Sequence, residues 1–474
     1  MKPAPIRLGY LPTRRTMFSR EEARRYRDLV KRLIDRPDVD LVDIDGINDE
    51  GLIWSLEDVP AIIRLFRSRE IDALFVPLCN FGQEGPVCEV VRAFQVPVLL
   101  WGPRDEGPDS QGLRLRDTQC GLFALGKVLQ RYGVKFTYLT NTDPESDYFL
   151  QGYDRFIRVA RVVKAVKTMR ILQIGPRPAP FLSVTCNEGE LSEKFGIEIL
   201  PVSVSELGAR MDAILAGDAP ELTDLTEELL SGFCVENADP RCSAKKLAAM
   251  KLAFRELIAE TRATCAAVQC WTDMQKITGA WPCAIHGILA DEGFPVACET
   301  DIHGAISARM LQAAMGDTEP QFFADLTIRH PTNDNAELLW HCGPFPPSLA
   351  REGDKKRIVN HWTKENDCCG DLHFGLKKGD LTVCRFDGLN GKYSLFIGEG
   401  KAIDGPMNVG TYVWMEVGDW PKWEHQLVCG PYIHHMAGIY GTCAEVLKEA
   451  CRYLSPLEPD PCQPDAAELD ARWR

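Results

Sequence analysis

Residues 71–103 read IDALFVPLCNFGQEGPVCEVVRAFQVPVLLWGP. Two short apolar runs, DALFVPLC and PVLLWGP, flank a segment near Val87–Phe94 whose apolar residues recur at helical spacing. A buried strand, a helix and a second buried strand make a βαβ unit, and such units build parallel sheets. The same alternation extends outward from residue 5 to about 165. IRLGYLP, a helix over Ser19–Ile34, DLVDID and a helix around AIIRLFRS precede the quoted stretch, and a helix over Tyr148–Lys167 closes the series. One doubly wound α/β domain, residues 1–166, is expected.

A second α/β set follows over residues 167–345. It comprises RILQIGP, IEILPVS, a helix over Ser243–Arg262, TCAAVQCW, a helix near Ala284–Ala290, FPVACET and a helix over Ala305–Ala314, with FFADLTI and ELLWHCG expected to close it. Beyond residue 345 the period becomes two. KKGDLTVCRF, the turn DGLNGK, KYSLFIGEG and TYVWMEV predict a C-terminal antiparallel β-barrel-like domain over 346–474, with a final helix over Thr442–Tyr453. The expected fold class is α/β: two tandem doubly wound domains and then the β domain. Two α/β domains in tandem also suit a periplasmic-type sugar-binding protein, but the third part argues for an enzyme.

The 474 residues are 45% hydrophobic and 26% charged, an ordinary globular balance and too many residues for one core. Net charge is 54 − 68 = −14 with no long Lys/Arg run, so neither nucleic acid nor an anionic membrane is expected as a partner. The opening MKPAPIRLGYLPTRR lacks the layout of a secretory signal and no apolar run approaches a bilayer span, so a cytoplasmic protein is expected. Eighteen cysteines without a C-x-x-C pair then read as reduced, mostly buried thiols.

Chemistry-bearing residues gather at element ends. In VACETDIHG, residues 296–304, strand alternation puts Glu299 and Asp301 on one side, with Asp301 at the strand's carboxyl end, where open α/β sheets bind ligands. Asp301 is equally suited to cap the following helix. His341 ends a strand in LLWHCGPFPP, where a lone histidine is more often structural than a ligand. His434 and His435 lie in GPYIHHMAGIYG, and adjacent side chains point apart, so at most one serves a shared site. Carboxylate together with imidazole suits a divalent Mn, Co or Zn ion.

These phrases resemble the L-fucose and L-arabinose isomerase superfamily. The resemblance is carried by Glu-x-Asp before Gly in CETDIHG, by FADLT at Phe323–Thr327, by the KKGDLTVCRFDG strand, by His435 six residues before Gly441, and by the opening GYLPTRRTMFSREEA. It implies two α/β domains and a barrel-like domain, a homo-oligomer (trimer or hexamer) with sites between subunits, and a small-molecule sugar substrate. It also implies aldose–ketose isomerisation through an ene-diol, with Mn²⁺ (or Co²⁺ or Zn²⁺) held by a Glu, an Asp and a His. Asp301 and His435 map onto the Asp and the His, with Asp301 also as base.

The position expected to hold the Glu reads Cys283, and no carboxylate lies between Asp273 and Asp291. Glu299 as ligand or base, Cys283 as a site-lining group, and His341 as ligand or substrate contact are the candidates to complete the set. The departure points to a modified or anionic sugar such as sulfoquinovose, with Arg14, Arg15 and Arg20 as anion contacts and Trp271, Trp340 and His434 against the sugar. A sugar-binding homologue without turnover, or an epimerase using the same ene-diol, are the alternative readings.

Overall fold

The computed structural model describes residues 4–217, 219–363 and 368–462. The chain forms two compact units, one up to Lys164 and one from Ala165 onward. In the first, five parallel strands are ordered Val39–Asp43, Ile6–Tyr10, Ala73–Pro77, Val98–Trp101, Thr137–Tyr138. The stretch at 71–103 supplies two neighbouring strands of this sheet and the helix Glu84–Arg92 between them. Alternation splits their side chains between two cores: Leu74, Val76, Val98 and Leu100 on one face, Ala73, Phe75, Leu99 and Trp101 on the other. A sheet buried on both faces is what continuous apolar strands predict.

The second unit contains a four-stranded parallel sheet ordered Val296–Cys298, Cys265–Val268, Arg170–Ile174, Glu198–Val202. It also contains a closed antiparallel barrel of six strands. Around the ring these are Lys392–Ile403, Gly379–Leu389, His435–Tyr440, Gln321–His330, Asn333–His341 and Thr411–Glu416, the last pairing back onto the first. The expected fold class, α/β with a C-terminal barrel, therefore holds.

One strand assignment needs correction. FFADLTI and ELLWHCG do not close the second parallel sheet; they form the hairpin Gln321–His330 and Asn333–His341 inside the barrel. Short apolar runs carry no mark of the sheet they join, and pairing with strands 411–416 and 435–440 decides it. The helix expected at Ala305 starts at Ile302, because Asp301 caps it by accepting the Gly304 amide at 2.9 Å. The final helix is Ala444–Tyr453.

Candidate active site

The strands Cys265–Val268 and Val296–Cys298 run parallel, and the residues just beyond their carboxyl ends include Trp271 and Glu299. Glu299 and Thr300 have φ of 63° and 55°, so the strand's alternation stops at Cys298. The expectation that Glu299 and Asp301 share a strand face is corrected accordingly; both nevertheless meet His435, through the left-handed turn. Non-glycine residues held at positive φ are costly and cluster at functional sites.

From the barrel, the neighbouring strands Gln321–His330 and His435–Tyr440 place Asp325 directly opposite His435. His435 is buried, and its two ring nitrogens face different carboxylates. Nδ1 lies 2.8 Å from Asp301 Oδ2. Nε2 lies 2.9 Å from Glu299 Oε2 and 3.4 Å from Asp325 Oδ1, without the alignment of a hydrogen bond. Glu299 Oε1 accepts the Trp271 indole N–H at 3.1 Å. Phe181 packs beside the cluster, with ring centroids 5.5 Å from Trp271 and 6.1 Å from His435.

Asp301 is fully engaged. Its Oδ1 accepts the Gly304 amide and, at 3.1 Å, Arg385 Nη2; its Oδ2 accepts Arg385 Nη1 and faces His435 Nδ1. Arg385 in turn donates from Nε to Asp387 at 2.9 Å, and Asp387 meets His303 Nδ1 at 2.9 Å. This buried chain engages His435 Nδ1 and leaves Nε2 facing Glu299 and Asp325, the usual way an outer carboxylate orients a ligating imidazole.

The electrostatics separate the carboxyls. Burial opposes ionisation of Asp301, yet Arg385 and His435 hold it far below the ordinary carboxylate range. Burial also opposes ionisation of the largely enclosed Glu299, yet His435 lowers it. Asp325 is pushed up to about 6, chiefly by burial. His435 is drawn down by burial but raised to about 9 by Asp301 and Glu299. Two carboxyls in one pocket with divergent pKa values are the pattern of a proton-transfer site.

Among the described residues, Glu299 Oε2, Asp325 Oδ1, His341 Nε2 and His435 Nε2 are buried without a hydrogen-bond partner. Orphaned polar atoms gathered in one place imply a ligand or ion. Two carboxylates and an imidazole fit a first-row divalent cation, and one ligand atom each of Asp325, His434 and His435 lies within 4.8 Å of the others.

The remaining candidates fall as follows. His341 ends its barrel strand, and its Nδ1 accepts the Cys342 amide at 2.9 Å. Cys283 begins the helix Cys283–Asp291, and the neighbouring Cys342 together with burial keeps it a thiol. Trp340 lies parallel to His341 with centroids 6.1 Å apart, its indole N–H donating to the Val409 carbonyl. His434 is exposed, 4.4 Å from His435 between ring centroids. In the N-terminal unit, Arg14 makes a two-pronged pair with Glu50, Arg20 meets Glu50 and Asp49, and Arg15 meets Glu84 at 2.8 Å. Each of these guanidinium groups is thus matched by a carboxylate of its own unit.

Sequence reading missed Asp325, Arg385, Phe181 and Cys342 as site residues. Asp325 and Arg385 stood inside the quoted phrases FADLT and KKGDLTVCRFDG, but only the pairing of distant strands reveals their partners.

Residues 9–167 match the family model for the N-terminal domain of fucose/sulfoquinovose isomerases. Over most of its length the chain is similar to proteins named sulfoquinovose isomerase. That of Priestia aryabhattai is 26% identical over 420 residues, covering 86% of this chain and 90% of the relative. That of Alkalicoccus urumqiensis is 28% identical over 363 residues, covering 75% and 77%. The resemblance to the fucose and arabinose isomerase superfamily is thereby borne out, in the first unit by the domain match and across both units by these relatives. Among the described residues, no helix is long and apolar enough to cross a membrane.

Proposed function

We propose that this protein is a metal-dependent aldose–ketose isomerase for an anionic monosaccharide of the sulfoquinovose type. The observation that carries the reading is the convergence of Glu299 and Asp325 on His435, each with a buried oxygen that has no hydrogen-bond partner facing Nε2. The substrate class rests on the relatives' names. Isomerisation moves a proton between C2 and C1 through an ene-diol, so the site needs a carboxyl able to take and return it. Asp325, with a pKa of about 6, can do both near neutral pH. Glu299 stays ionised, positioned by the Trp271 indole. Asp301 serves as the group that orients His435 rather than as base or ligand. His341, with Nδ1 accepting an amide, carries its proton on Nε2 when neutral and donates it to a sugar oxygen. A divalent cation such as Mn²⁺, held by Glu299, Asp325 and His435, supplies when bound the Lewis-acid polarisation of the sugar's carbonyl and hydroxyl oxygens.

The test is to treat the purified protein with a chelator, restore Mn²⁺, and follow ketose formation from sulfoquinovose. Turnover is expected to fall at least about 100-fold on chelation and to return with the ion. Full turnover in the metal-free protein, or none on any aldose with Mn²⁺ present, overturns the reading.

A smaller effect is expected for Trp271→Phe, which keeps an aromatic ring and removes the N–H that Glu299 accepts. A hydrogen bond to a charged group contributes about 1.5–3 kcal/mol, so kcat/KM should fall roughly tenfold or more with the circular dichroism spectrum unchanged. An unaltered kcat/KM would show that this contact does not position Glu299.

A further inference from the structure

The polar cluster does not stop at His341. The next residue, Cys342, is partly exposed, and its carbonyl accepts the Leu372 amide at 3.4 Å. Asp371, adjacent to Leu372, is 0% exposed, yet neither of its carboxylate oxygens has a hydrogen-bond partner among the described residues. Two imidazoles flank it. His361 Nε2 is 3.6 Å from Oδ1 and His373 Nε2 is 3.9 Å from Oδ2, both too long for hydrogen bonds. The Thr363 amide points at His361 Nδ1 from 3.3 Å, which assigns the proton of the neutral ring to Nε2, toward Asp371. Trp281 fixes that ring by stacking on it, with centroids 3.7 Å apart and planes 14° apart. Thr411 pairs on one side with His341 and on the other with Phe374, so the strand that carries Asp371 runs past the His341 end of the barrel.

A buried carboxylate without donors is costly, and a bound partner that donates removes the cost. The spacing specifies that partner. An oxygen seated about 2.7–2.9 Å from both a carboxylate oxygen and an imidazole nitrogen spans gaps of 3.6 and 3.9 Å. It must donate to the carboxylate and accept from an N–H, which a hydroxyl does. There is one such seat on each oxygen of Asp371. A sulfonate or phosphate, which only accepts, is repelled there.

We propose that Asp371, flanked by His361 and His373, is a diol-recognition subsite that takes two hydroxyls of the sugar and directs its anionic group elsewhere. The inference deepens the isomerase reading and rests on it for the identity of the ligand as a sugar. Asp371 acts here as a specificity-determining residue, away from the proton-transferring carboxyls.

The experiment measures sulfoquinovose and its 3-deoxy and 4-deoxy analogues by calorimetric binding and by steady-state kinetics, in wild type, Asp371→Asn and Asp371→Ala, all in the presence of Mn²⁺. Asp371→Ala should weaken sulfoquinovose binding at least about tenfold while changing kcat less than about threefold, and Asp371→Asn, which keeps the shape, should do the same to a smaller extent. In wild type at least one deoxy analogue should bind about tenfold or more weakly than the parent, and in Asp371→Ala that penalty should vanish. A deoxy penalty that persists unchanged in both variants, or sulfoquinovose affinity equal to wild type in either folded variant, overturns the proposal and leaves Asp371 to water only. A loss of kcat shared equally by all three sugars overturns it as well, in favour of a structural role. Asp371-dependent binding without turnover by wild type would sink the isomerase reading and leave the subsite standing; normal turnover with no dependence on Asp371 would do the reverse.

Discussion

Asp325→Asn is expected to lower kcat/KM for aldose isomerisation by about three orders of magnitude or more while leaving the melting temperature unchanged or raising it. The substitution is nearly isosteric, so the barrel strand Gln321–His330 and its pairing with His435–Tyr440 keep their geometry. What disappears is a carboxyl able to accept and return a proton, a function typically worth about 10²–10⁴-fold, together with one of the oxygen donors beside His435 Nε2. The stability side follows from linkage. Burial raises the folded-state pKa of Asp325 to about 6, above the value of roughly 4 in an unfolded chain. At neutral pH the ionised group therefore opposes folding, and a neutral amide does not. Activity and stability moving in opposite directions mark a residue kept for chemistry. Activity within tenfold of wild type, measured with saturating Mn²⁺, would remove Asp325 from the proton-transfer role.

Arg385→Met is expected to be among the most destabilising single substitutions in the second unit. The guanidinium has no exposure and joins Asp301 to Asp387. A methionine of similar length fills much of the space but strips two buried carboxylates of their shared guanidinium, leaving Asp301 to His435 and the Gly304 amide and Asp387 to His303, which costs roughly 3–5 kcal/mol. At about 2–4 °C per kcal/mol for a unit of this size, the melting temperature should fall by about 10 °C. The double variant Arg385→Met/Asp301→Asn should recover part of that loss, because it removes one stranded charge.

The pH dependence carries the sign of a depressed acid. Asp301, held low by Arg385, adds stability above its unfolded pKa of roughly 4, and that contribution is lost as pH falls through and below this value. Without Arg385 the depression is weakened, so the acid limb of the stability curve should be shallower than in wild type. Denaturant melts at pH 7, 4 and 3 check both statements; a variant as stable as wild type at pH 7 contradicts them.

How far the sequence speaks can be seen residue by residue. Strands such as Ala73–Pro77 and Val98–Trp101 were legible because burial on both faces leaves an unbroken apolar run between turn signals. The hairpin at 321–341 has the same local letters, and only its neighbours in space assign it to the barrel. The site shows the same division. Asp301 and His435 were legible as a pair, but their relation was not: contact between them is indirect evidence of ligation until Arg385 is seen on the other side of Asp301. Cys283 stands where the resemblance expects a carboxylate, whereas the carboxylate that pairs with His435, Asp325, lies downstream on a strand whose register no local spacing encodes. Glu299 was flagged by alternation that the chain does not follow, since the turn at positive φ replaces it.

Asp301 accepts its own helix's amide, the guanidinium of Arg385 and the imidazole of His435, the last from 134 residues further along the chain. The helix cap forms locally and early, but the other two bonds need barrel strands made much later in synthesis. Until those strands arrive, the carboxylate has neither of its cationic partners. Contacts of such long sequence separation are closed late and slowly in folding. The complete set of partners around Asp301 is therefore a late product of chain maturation, and a nascent polypeptide that already has this helix in place still lacks it.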